Sequence, residues 1–169
     1  MSSTLGDLAS LPRVEGGCLC GAVRYRATLE KREGYYCHCR MCQLAVGNTR
    51  AAFINLPKAA VEWTRGEPTL FASSAFALRG FCNRCGTPLS FEYRDSKNMD
   101  LSVGSLDDPG AFRPTSHFAI ESRVESWHCD DGLKGSRLDT NEGIMARWKA
   151  AYGDATPSLE TARGDSQQT

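Results

Sequence analysis

The sequence lacks features that would place it in two broad classes of protein. Lysine plus arginine and aspartate plus glutamate both number 20 in 169 residues, so the formal net charge is +0. A protein that binds nucleic acid usually carries a basic excess, so we expect no nucleic-acid partner. No apolar run reaches the roughly 18 residues of a transmembrane helix. We therefore also expect no membrane span.

The chain also starts without the basic segment and apolar core of a secretory signal peptide. We therefore expect a cytoplasmic protein, in which reducing conditions disfavour disulfide bonds. This expectation bears on the eight cysteines. A secreted disulfide scaffold is the alternative interpretation, and both the missing signal and the cysteine spacing oppose it.

Seven of the cysteines lie in three tight clusters. They are Cys18-Leu19-Cys20, Cys37-His38-Cys39-Arg40-Met41-Cys42 and Cys82-Asn83-Arg84-Cys85. Thiols one or two residues apart rarely have the geometry for a mutual disulfide, but they can converge on one soft cation. Scattered buried cysteines that act as small hydrophobic side chains would explain Cys129, but not the clusters. The spacing therefore predicts metal ligation.

From residue 16 onward the pattern is mostly that of β-strands. Residues 21–29 alternate, with Val23, Tyr25 and Ala27 on one face. Further strands are predicted at residues 52–55, 61–64, 69–72, 75–81, 88–93, 99–103 and 117–122. Glycine, proline, asparagine and aspartate separate these segments, as turn residues do. Many short strands at fairly even spacing predict an antiparallel, mainly β fold.

One C-terminal helix is predicted, because residues 139–142 have the pattern of a capping box and apolar residues follow at helical spacing. Those residues are Ile144, Trp148 and Tyr152. We therefore expect a flexible lead-in over residues 1–15 and a single domain over residues 16–153. Residues 154–169 contain almost no large aliphatic side chains and are predicted to be a disordered tail.

Seven clustered thiolates divide naturally into four and three. Zinc takes four tetrahedral ligands in structural sites, and three plus an open position in catalytic sites. The first and third clusters supply two pairs, which predict one closed site: Cys18, Cys20, Cys82 and Cys85. Each pair flanks a predicted strand, so a metal that joins the pairs would staple the sheet across a long segment.

The middle cluster predicts a second site with an open position. Cys37, Cys39 and Cys42 can hold one face of an ion, but no fourth ligand is obvious in the adjacent sequence. His38, the distant Cys129, and a water or exogenous ligand are the alternatives. An open zinc with three thiolates binds an incoming thiol and lowers its pKa. This predicts thiol chemistry on a small substrate, with a purely structural second site as the alternative.

The clusters and their surroundings resemble the glutathione-dependent formaldehyde-activating enzyme family, which also includes centromere protein V. The resemblance runs from about residue 16 to residue 138 and is specific in order and spacing. It rests on Gly16-Gly17-Cys18-Leu19-Cys20-Gly21-Ala22-Val23-Arg24-Tyr25, Cys37-His38-Cys39-Arg40-Met41-Cys42-Gln43, Arg79-Gly80-Phe81-Cys82-Asn83-Arg84-Cys85-Gly86-Thr87-Pro88-Leu89, Val103-Gly104-Ser105-Leu106-Asp107-Asp108-Pro109, Pro114, His117, Trp127 and Asp131-Gly132-Leu133.

The resemblance implies a β-tent fold, in which small sheets pack around a structural zinc held by Cys18, Cys20, Cys82 and Cys85. It also implies a second, catalytic-type zinc held by Cys37, Cys39 and Cys42, and thus two zinc ions per chain. The implied activity is the condensation of glutathione with formaldehyde to S-hydroxymethylglutathione, formally a carbon–sulfur lyase reaction. A small-molecule thiol such as glutathione is the implied partner.

Four further residues are weaker candidates for a role in the site. Arg40 and Arg50 lie near the middle cluster, where a guanidinium either pairs with a glutathione carboxylate or faces solvent. His117 falls within the resembling text, as a catalytic group or as a satisfied structural histidine. We expect Cys129 to be a partly buried free thiol rather than a ligand.

Three hypotheses about function follow from these patterns. The first is a zinc-dependent enzyme that acts on thiol adducts of a small aldehyde. The second is a non-catalytic, zinc-stabilised binding module, which predicts a fourth protein ligand such as Cys129 on the second metal. The third is a redox-labile zinc protein, in which oxidation of the middle cluster releases the metal.

Overall fold

The computed structural model describes residues 12–166, and within that range the chain is mainly β. The strands are β1 (Arg13–Gly17), β2 (Arg24–Thr28), β3 (Glu33–Cys37), β4 (Ala51–Pro57), β5 (Val61–Arg65), β6 (Thr69–Ser74), β7 (Ala77–Phe81), β8 (Pro88–Tyr93), β9 (Asn98–Ser102), β10 (Arg113–Phe118) and β11 (Lys134–Ser136). The helices are α1 (Arg40–Val46), α2 (Glu142–Tyr152) and α3 (Leu159–Ser166).

The strands form two sheets. One has three strands in the order β1-β2-β5, and the other has eight in the order β11-β10-β3-β4-β9-β8-β7-β6. Neighbouring strands are antiparallel, except that β10 runs parallel to both β3 and β11. The predicted mainly β fold with antiparallel sheets is therefore confirmed.

Strand β2 confirms the alternation predicted from its sequence. Tyr25 and Ala27 point into the core and are each 1% exposed. The prediction for residues 117–122 is wrong beyond Phe118, where β10 ends. Ala119 has a φ of +58° and turns the chain into a short 3₁₀ helix over Ile120–Ser122. A residue in the left-handed region ends a strand because its backbone is not extended. The regular alternation of side chains therefore stops there.

Helix α2 confirms the predicted helix, although Asn141 rather than an earlier residue caps it. The Asn141 side chain accepts a hydrogen bond from Ile144 N at 3.0 Å. Trp148 is 2% exposed and packs edge-on against Phe76, in the turn between β6 and β7. The predicted apolar stripe therefore docks α2 onto the eight-stranded sheet. No helix among residues 12–166 is long and apolar enough to cross a membrane.

The ends of the described chain differ from expectation. Strand β1 begins at Arg13, inside the predicted lead-in, and α3 occupies part of the predicted disordered tail. Helix α3 needs few large side chains because it packs along β6 and buries the small Ala162. Ser158 caps it by accepting a hydrogen bond from Thr161 N at 3.1 Å. The rest of both predictions, residues 1–11 and 167–169, lies outside the described residues.

Two separate hydrophobic clusters position the cysteines. The first surrounds Tyr25, Leu89 and Leu101 and includes Cys18 and Cys82. The second surrounds Phe53 and Ala119 and includes Cys37, Cys39 and Cys42. The two groups of thiols predicted from the sequence thus lie in different parts of the core.

Asp100 is a buried acid in the middle of the eight-stranded sheet, and only 6% of it is exposed. Asn55 Nδ2 donates a hydrogen bond to Asp100 Oδ1 at 3.0 Å. Burial nevertheless raises the pKa of Asp100 to about 6, because removal from water disfavours the carboxylate. A carboxyl group whose pKa rises on folding stabilises the fold at low pH, and that contribution is lost as pH rises through about 6.

We therefore expect Asp100→Asn to gain stability relative to the parent chain as pH rises, by roughly 1 kcal/mol between pH 5 and pH 7. Urea unfolding of both proteins at the two pH values measures this difference. Asp154→Asn, at a side chain that is 96% exposed, is the matched control and should show no such trend. An Asp100→Asn difference that is the same at both pH values would contradict the raised pKa.

Candidate metal centres and the adjoining cavity

The first group of thiols lies where two turns face each other. The four-cysteine group consists of Cys18 and Cys20, between β1 and β2, and Cys82 and Cys85, between β7 and β8. Gly21 N donates to Cys18 O at 3.0 Å, and Gly86 N donates to Cys82 O at 2.8 Å. Both glycines have φ above +70°, which glycine adopts without strain. Leu19 N donates to Thr87 Oγ1 at 3.0 Å and ties the turns together.

The spacing of these four sulfur atoms fits a tetrahedral metal. All four lie within 4.8 Å of one another. The Sγ atoms of Cys18 and Cys20 are 3.6 Å apart, and those of Cys20 and Cys82 are 3.8 Å apart. Zinc–sulfur bonds of about 2.3 Å in a tetrahedron place the sulfurs about 3.8 Å from each other. The four-cysteine group could therefore hold one zinc-sized ion.

At two of the four cysteines, Cys18 and Cys85, hydrogen bonds to sulfur favour the thiolate form that a metal requires, whereas the pKa of Cys20 is raised to about 11. Val23 N donates to Cys18 Sγ at 3.2 Å. The Thr87 hydroxyl lies 3.2 Å from Cys85 Sγ, and hydrogen bonding from Thr87 lowers the pKa of Cys85 to about 5. A thiol with a lowered pKa binds metal more readily at neutral pH, because less free energy is needed to remove its proton.

The second group of thiols lies where β3 meets α1. The three-cysteine group consists of Cys37, Cys39 and Cys42, all buried, with their sulfurs within 4.8 Å of one another. Cys37 ends β3, Cys39 caps α1, and Cys42 N donates to Cys39 Sγ at 3.4 Å. The turn of helix brings the third sulfur back towards the first two. This helix has no clear signal in the sequence, because it is only seven residues long and has no repeated apolar stripe.

Arg79 is a site residue whose role no local sequence pattern indicates. Its Nη2 donates to Cys42 Sγ at 3.4 Å, and its guanidinium lies over the Phe91 ring, 4.8 Å from the centroid. Burial opposes the charge on Arg79, but attraction to the Cys42 sulfur outweighs it, and the pKa of Arg79 is raised. Hydrogen bonds from Cys37 and Cys39 lower the pKa of Cys42, and Arg79 lowers it further.

The positive charge of Arg79 would offset the net charge of a metal bound by the three-cysteine group. Three thiolates around a divalent ion carry a net charge of about −1. A net charge in a buried position is costly unless an opposite charge lies nearby. The donor set and the adjacent guanidinium together fit a zinc-like ion, so both cysteine groups could hold a metal.

The two residues suggested as a fourth protein ligand do not supply one. His38 Nε2 lies 2.8 Å from His117 Nδ1, so the His38 ring is turned towards His117. Cys129 belongs to neither cysteine group, and the prediction that it is partly buried is wrong, because it is exposed. Among the residues that the structure describes, no histidine, cysteine or acid joins the three-cysteine group as a fourth ligand.

His117 is hydrogen-bonded at both ring nitrogens. Its Nε2 lies 2.9 Å from Asp131 Oδ1, and its ring is tilted by 30° against that of Tyr36, with 5.4 Å between centroids. It is 2% exposed. This arrangement matches the structural alternative for His117. Hydrogen bonding from His117 also lowers the pKa of Asp131. The contacts from Asp131 to His117 and from His117 to His38 orient the His38 ring, and His38 lies between Cys37 and Cys39 in the sequence.

The two candidate arginines lie in different places. Arg40 Nη1 donates to Gln43 Oε1 at 3.1 Å at the start of α1. The Gln43 amide in turn donates to His38 O at 2.8 Å and to Ser122 O at 2.9 Å, and so fastens α1 to the loop after β10. The Arg50 guanidinium lies over the Tyr36 ring at 3.9 Å.

The three-cysteine group forms part of the wall of a cavity of about 320 Å³. Seven aromatic side chains contribute to the lining: Tyr35, Phe53, Phe76, Phe91, Tyr93, Phe118 and Trp148. Arg79 lies between this cavity and a neighbouring one of about 510 Å³, and lines both. Leu138, Ile144 and Leu159 close the smaller cavity from the C-terminal segment. The arrangement can hold a small, largely apolar molecule directly against three sulfur ligands.

Comparison with known proteins shows that one family model matches most of the chain. The model described as glutathione-dependent formaldehyde-activating enzyme matches residues 13–122. A Schizosaccharomyces pombe protein described as an uncharacterized lyase is 38% identical over 88 residues. The match covers 52% of this chain and 64% of that protein, so the chain spans less than two thirds of the relative's length. A crystal structure of a Rhodobacter sphaeroides protein is 18% identical, with a TM-score of 0.47, over 72% of this chain and 99% of that one.

Proposed function

We propose that this chain, which belongs to the glutathione-dependent formaldehyde-activating enzyme family, is a zinc-dependent enzyme of the carbon–sulfur lyase type. It joins a thiol to a small aldehyde and cleaves the same adduct in reverse. The observation that carries the proposal is the three-cysteine group. Its buried sulfurs line a cavity, and no residue between 12 and 166 completes it as a fourth ligand.

The two cysteine groups have different roles in this proposal. Cys18, Cys20, Cys82 and Cys85 hold a structural zinc that fastens the two turns together. Cys37, Cys39 and Cys42 hold a second ion beside the cavity, for a total of two zinc ions per chain. Zinc bound there would lower the pKa of an incoming thiol, so that the thiol is present as a nucleophilic thiolate at neutral pH.

The side chains around the three-cysteine group orient the reactants. In the forward reaction the thiol sulfur bonds to the carbonyl carbon, and the thiol proton ends on the carbonyl oxygen, so no oxidant or reductant is consumed. Arg79 lies at the sulfur side, where its charge offsets that of the ligands. The aromatic wall excludes water and holds the aldehyde near the sulfur. The two reactants are then positioned for reaction, and the bimolecular step becomes effectively unimolecular.

Glutathione and formaldehyde are the proposed reference substrates, since the family is named for them. Glutathione is abundant where thiols stay reduced, and the free cysteines of this chain require the same condition. A cytoplasmic location is therefore part of the proposal. Arg40, at the rim of the cavity, is the basic side chain placed to meet a carboxylate of the thiol substrate.

We expect the zinc-loaded protein to bind glutathione and to accelerate its exchange with S-hydroxymethylglutathione. A rate at least about tenfold above the spontaneous rate corresponds to a barrier lowered by about 1.4 kcal/mol. Calorimetric titration measures the binding, and NMR exchange spectroscopy measures the rate. Cys129→Ser changes a thiol outside both groups and should leave both results unaltered. Neither binding nor acceleration, in protein with full metal content, would reject the proposed reaction with glutathione.

A further inference from the structure

The cavity beside the three-cysteine group is much larger than formaldehyde requires. Formaldehyde has two heavy atoms, whereas a cavity of about 150 Å³ already accommodates benzene. The cavity here measures about 320 Å³. A site shaped for formaldehyde alone would leave most of this space to water against aromatic surfaces, which is unfavourable.

The charged side chains that line the cavity are already engaged. Arg79 donates to Cys42 Sγ, and Arg40 donates to Gln43 Oε1. Glu121 accepts a hydrogen bond from Leu138 N at 3.0 Å. The fourth, Asp139, is paired with Arg137. Arg40, Glu121 and Asp139 are solvent-exposed and therefore line the mouth of the cavity, whereas the half-buried Arg79 is held by Cys42, so the interior offers no unengaged cation for a carboxylate.

A segment beyond the family match supplies one side of the cavity. The match ends at residue 122, whereas Leu138, Ile144, Trp148 and Leu159 all line the cavity. Trp148 Nε1 donates to Ala155 O at 2.8 Å, which leaves its ring as an apolar surface. The position of this wall is set by the docking of α2 on Phe76, so the segment determines how far the cavity extends from the sulfurs.

We infer that the aldehyde part of the substrate is apolar, and that the C-terminal segment confers this specificity. This inference rests on the proposed function. The ligand is an aromatic or aliphatic aldehyde of about six to ten carbons, a size that suits a small hydrophobic pocket with few polar groups. Its carbonyl carbon lies at the three-cysteine group, and its hydrocarbon part lies among the aromatic side chains and Ile144. The polar part of a thiol such as glutathione stays at the rim, near Arg40.

The inference is tested first by binding, without turnover, to the zinc-loaded full chain. The probe is 3-phenylpropan-1-ol, an unreactive analogue of 3-phenylpropanal, titrated by calorimetry with methanol as the small polar comparison. Ile144→Trp puts a larger side chain into the cavity from α2. Ala146→Trp introduces the same side chain at an exposed position of the same helix and is the matched control. We expect saturable binding of the probe that Ile144→Trp weakens at least about tenfold and Ala146→Trp leaves unchanged.

The second measurement is the NMR exchange rate of glutathione with 3-phenylpropanal and with formaldehyde, each relative to its spontaneous rate. We expect the larger acceleration for 3-phenylpropanal, and a loss of that preference in Ile144→Trp but not in Ala146→Trp. Acceleration with formaldehyde alone, without saturable binding of the alcohol, would overturn the inference and leave the proposed function standing. Binding of the alcohol without acceleration for either aldehyde would instead overturn the proposed function, and with it the assignment of the ligand as an aldehyde.

Discussion

Replacement of Cys82 by serine is expected to abolish metal binding by the four-cysteine group and, with it, the folded state. Cys82 is fully buried, and its sulfur lies 3.8 Å from that of Cys20 across the two turns. A serine hydroxyl is a poor substitute for a thiolate on zinc. Structural zinc contributes on the order of 10–16 kcal/mol in small peptides, which is comparable with the whole stability of a domain, about 5–15 kcal/mol.

Metal content by plasma emission and thermal unfolding followed by circular dichroism measure this effect. Cys129→Ser is the matched control, because its thiol is exposed and outside both groups. Cys20→Ser, at the exposed ligand of the same group, should fold but lose its metal to a chelator at lower concentration. A Cys82→Ser protein with the parent's metal content and melting temperature would show that the four-cysteine group does not hold a structural metal.

Cys42→Ser is expected to remove the second metal and to reduce the exchange rate to the spontaneous background, while the protein still folds. The three-cysteine group keeps only two sulfurs in this variant, too few to retain an ion beside the cavity. Zinc content should therefore fall from two ions to one per chain. The four-cysteine group lies in the other hydrophobic cluster, so its metal should remain.

Arg79 provides a second test of the same site. In Cys42→Ser its half-buried guanidinium loses its sulfur partner, at a cost of about 2 kcal/mol. Adding Arg79→Met removes the unpaired charge and should recover part of that loss in urea unfolding, although not the metal. Additive stability losses from the two substitutions would show that Arg79 and Cys42 are not coupled. Two zinc ions in Cys42→Ser would contradict the assignment of the three-cysteine group as a metal site.

The division of the cysteines was predictable because it depends on local spacing. In the four-cysteine group, each pair of thiols lies in a tight turn next to a glycine. Gly21 and Gly86 show this, since both follow a cysteine pair and both have positive φ. The alternation in β2 was equally local, because successive side chains of any strand point to opposite faces.

Arg79 was not predictable in the same way. It lies 37 residues from Cys42 in sequence and meets it only through the packing of the eight-stranded sheet. The same holds for the contact between His38 and His117, which turns His38 away from the role of fourth ligand. Helix α3 was missed because its stability comes from contact with β6 rather than from its own composition.

The sequence by itself determined that the chain is mainly β and that its clustered cysteines divide into two sets. These properties follow from the spacing of residues along the backbone. Alternating residues form strands because of backbone sterics, and closely spaced thiols can bind the same metal ion. Only the tertiary structure decided that the second set faces an aromatic cavity beside Arg79 and that His38 turns away from it towards His117. Those relations depend on which distant strands and helices become neighbours, and no local spacing specifies that.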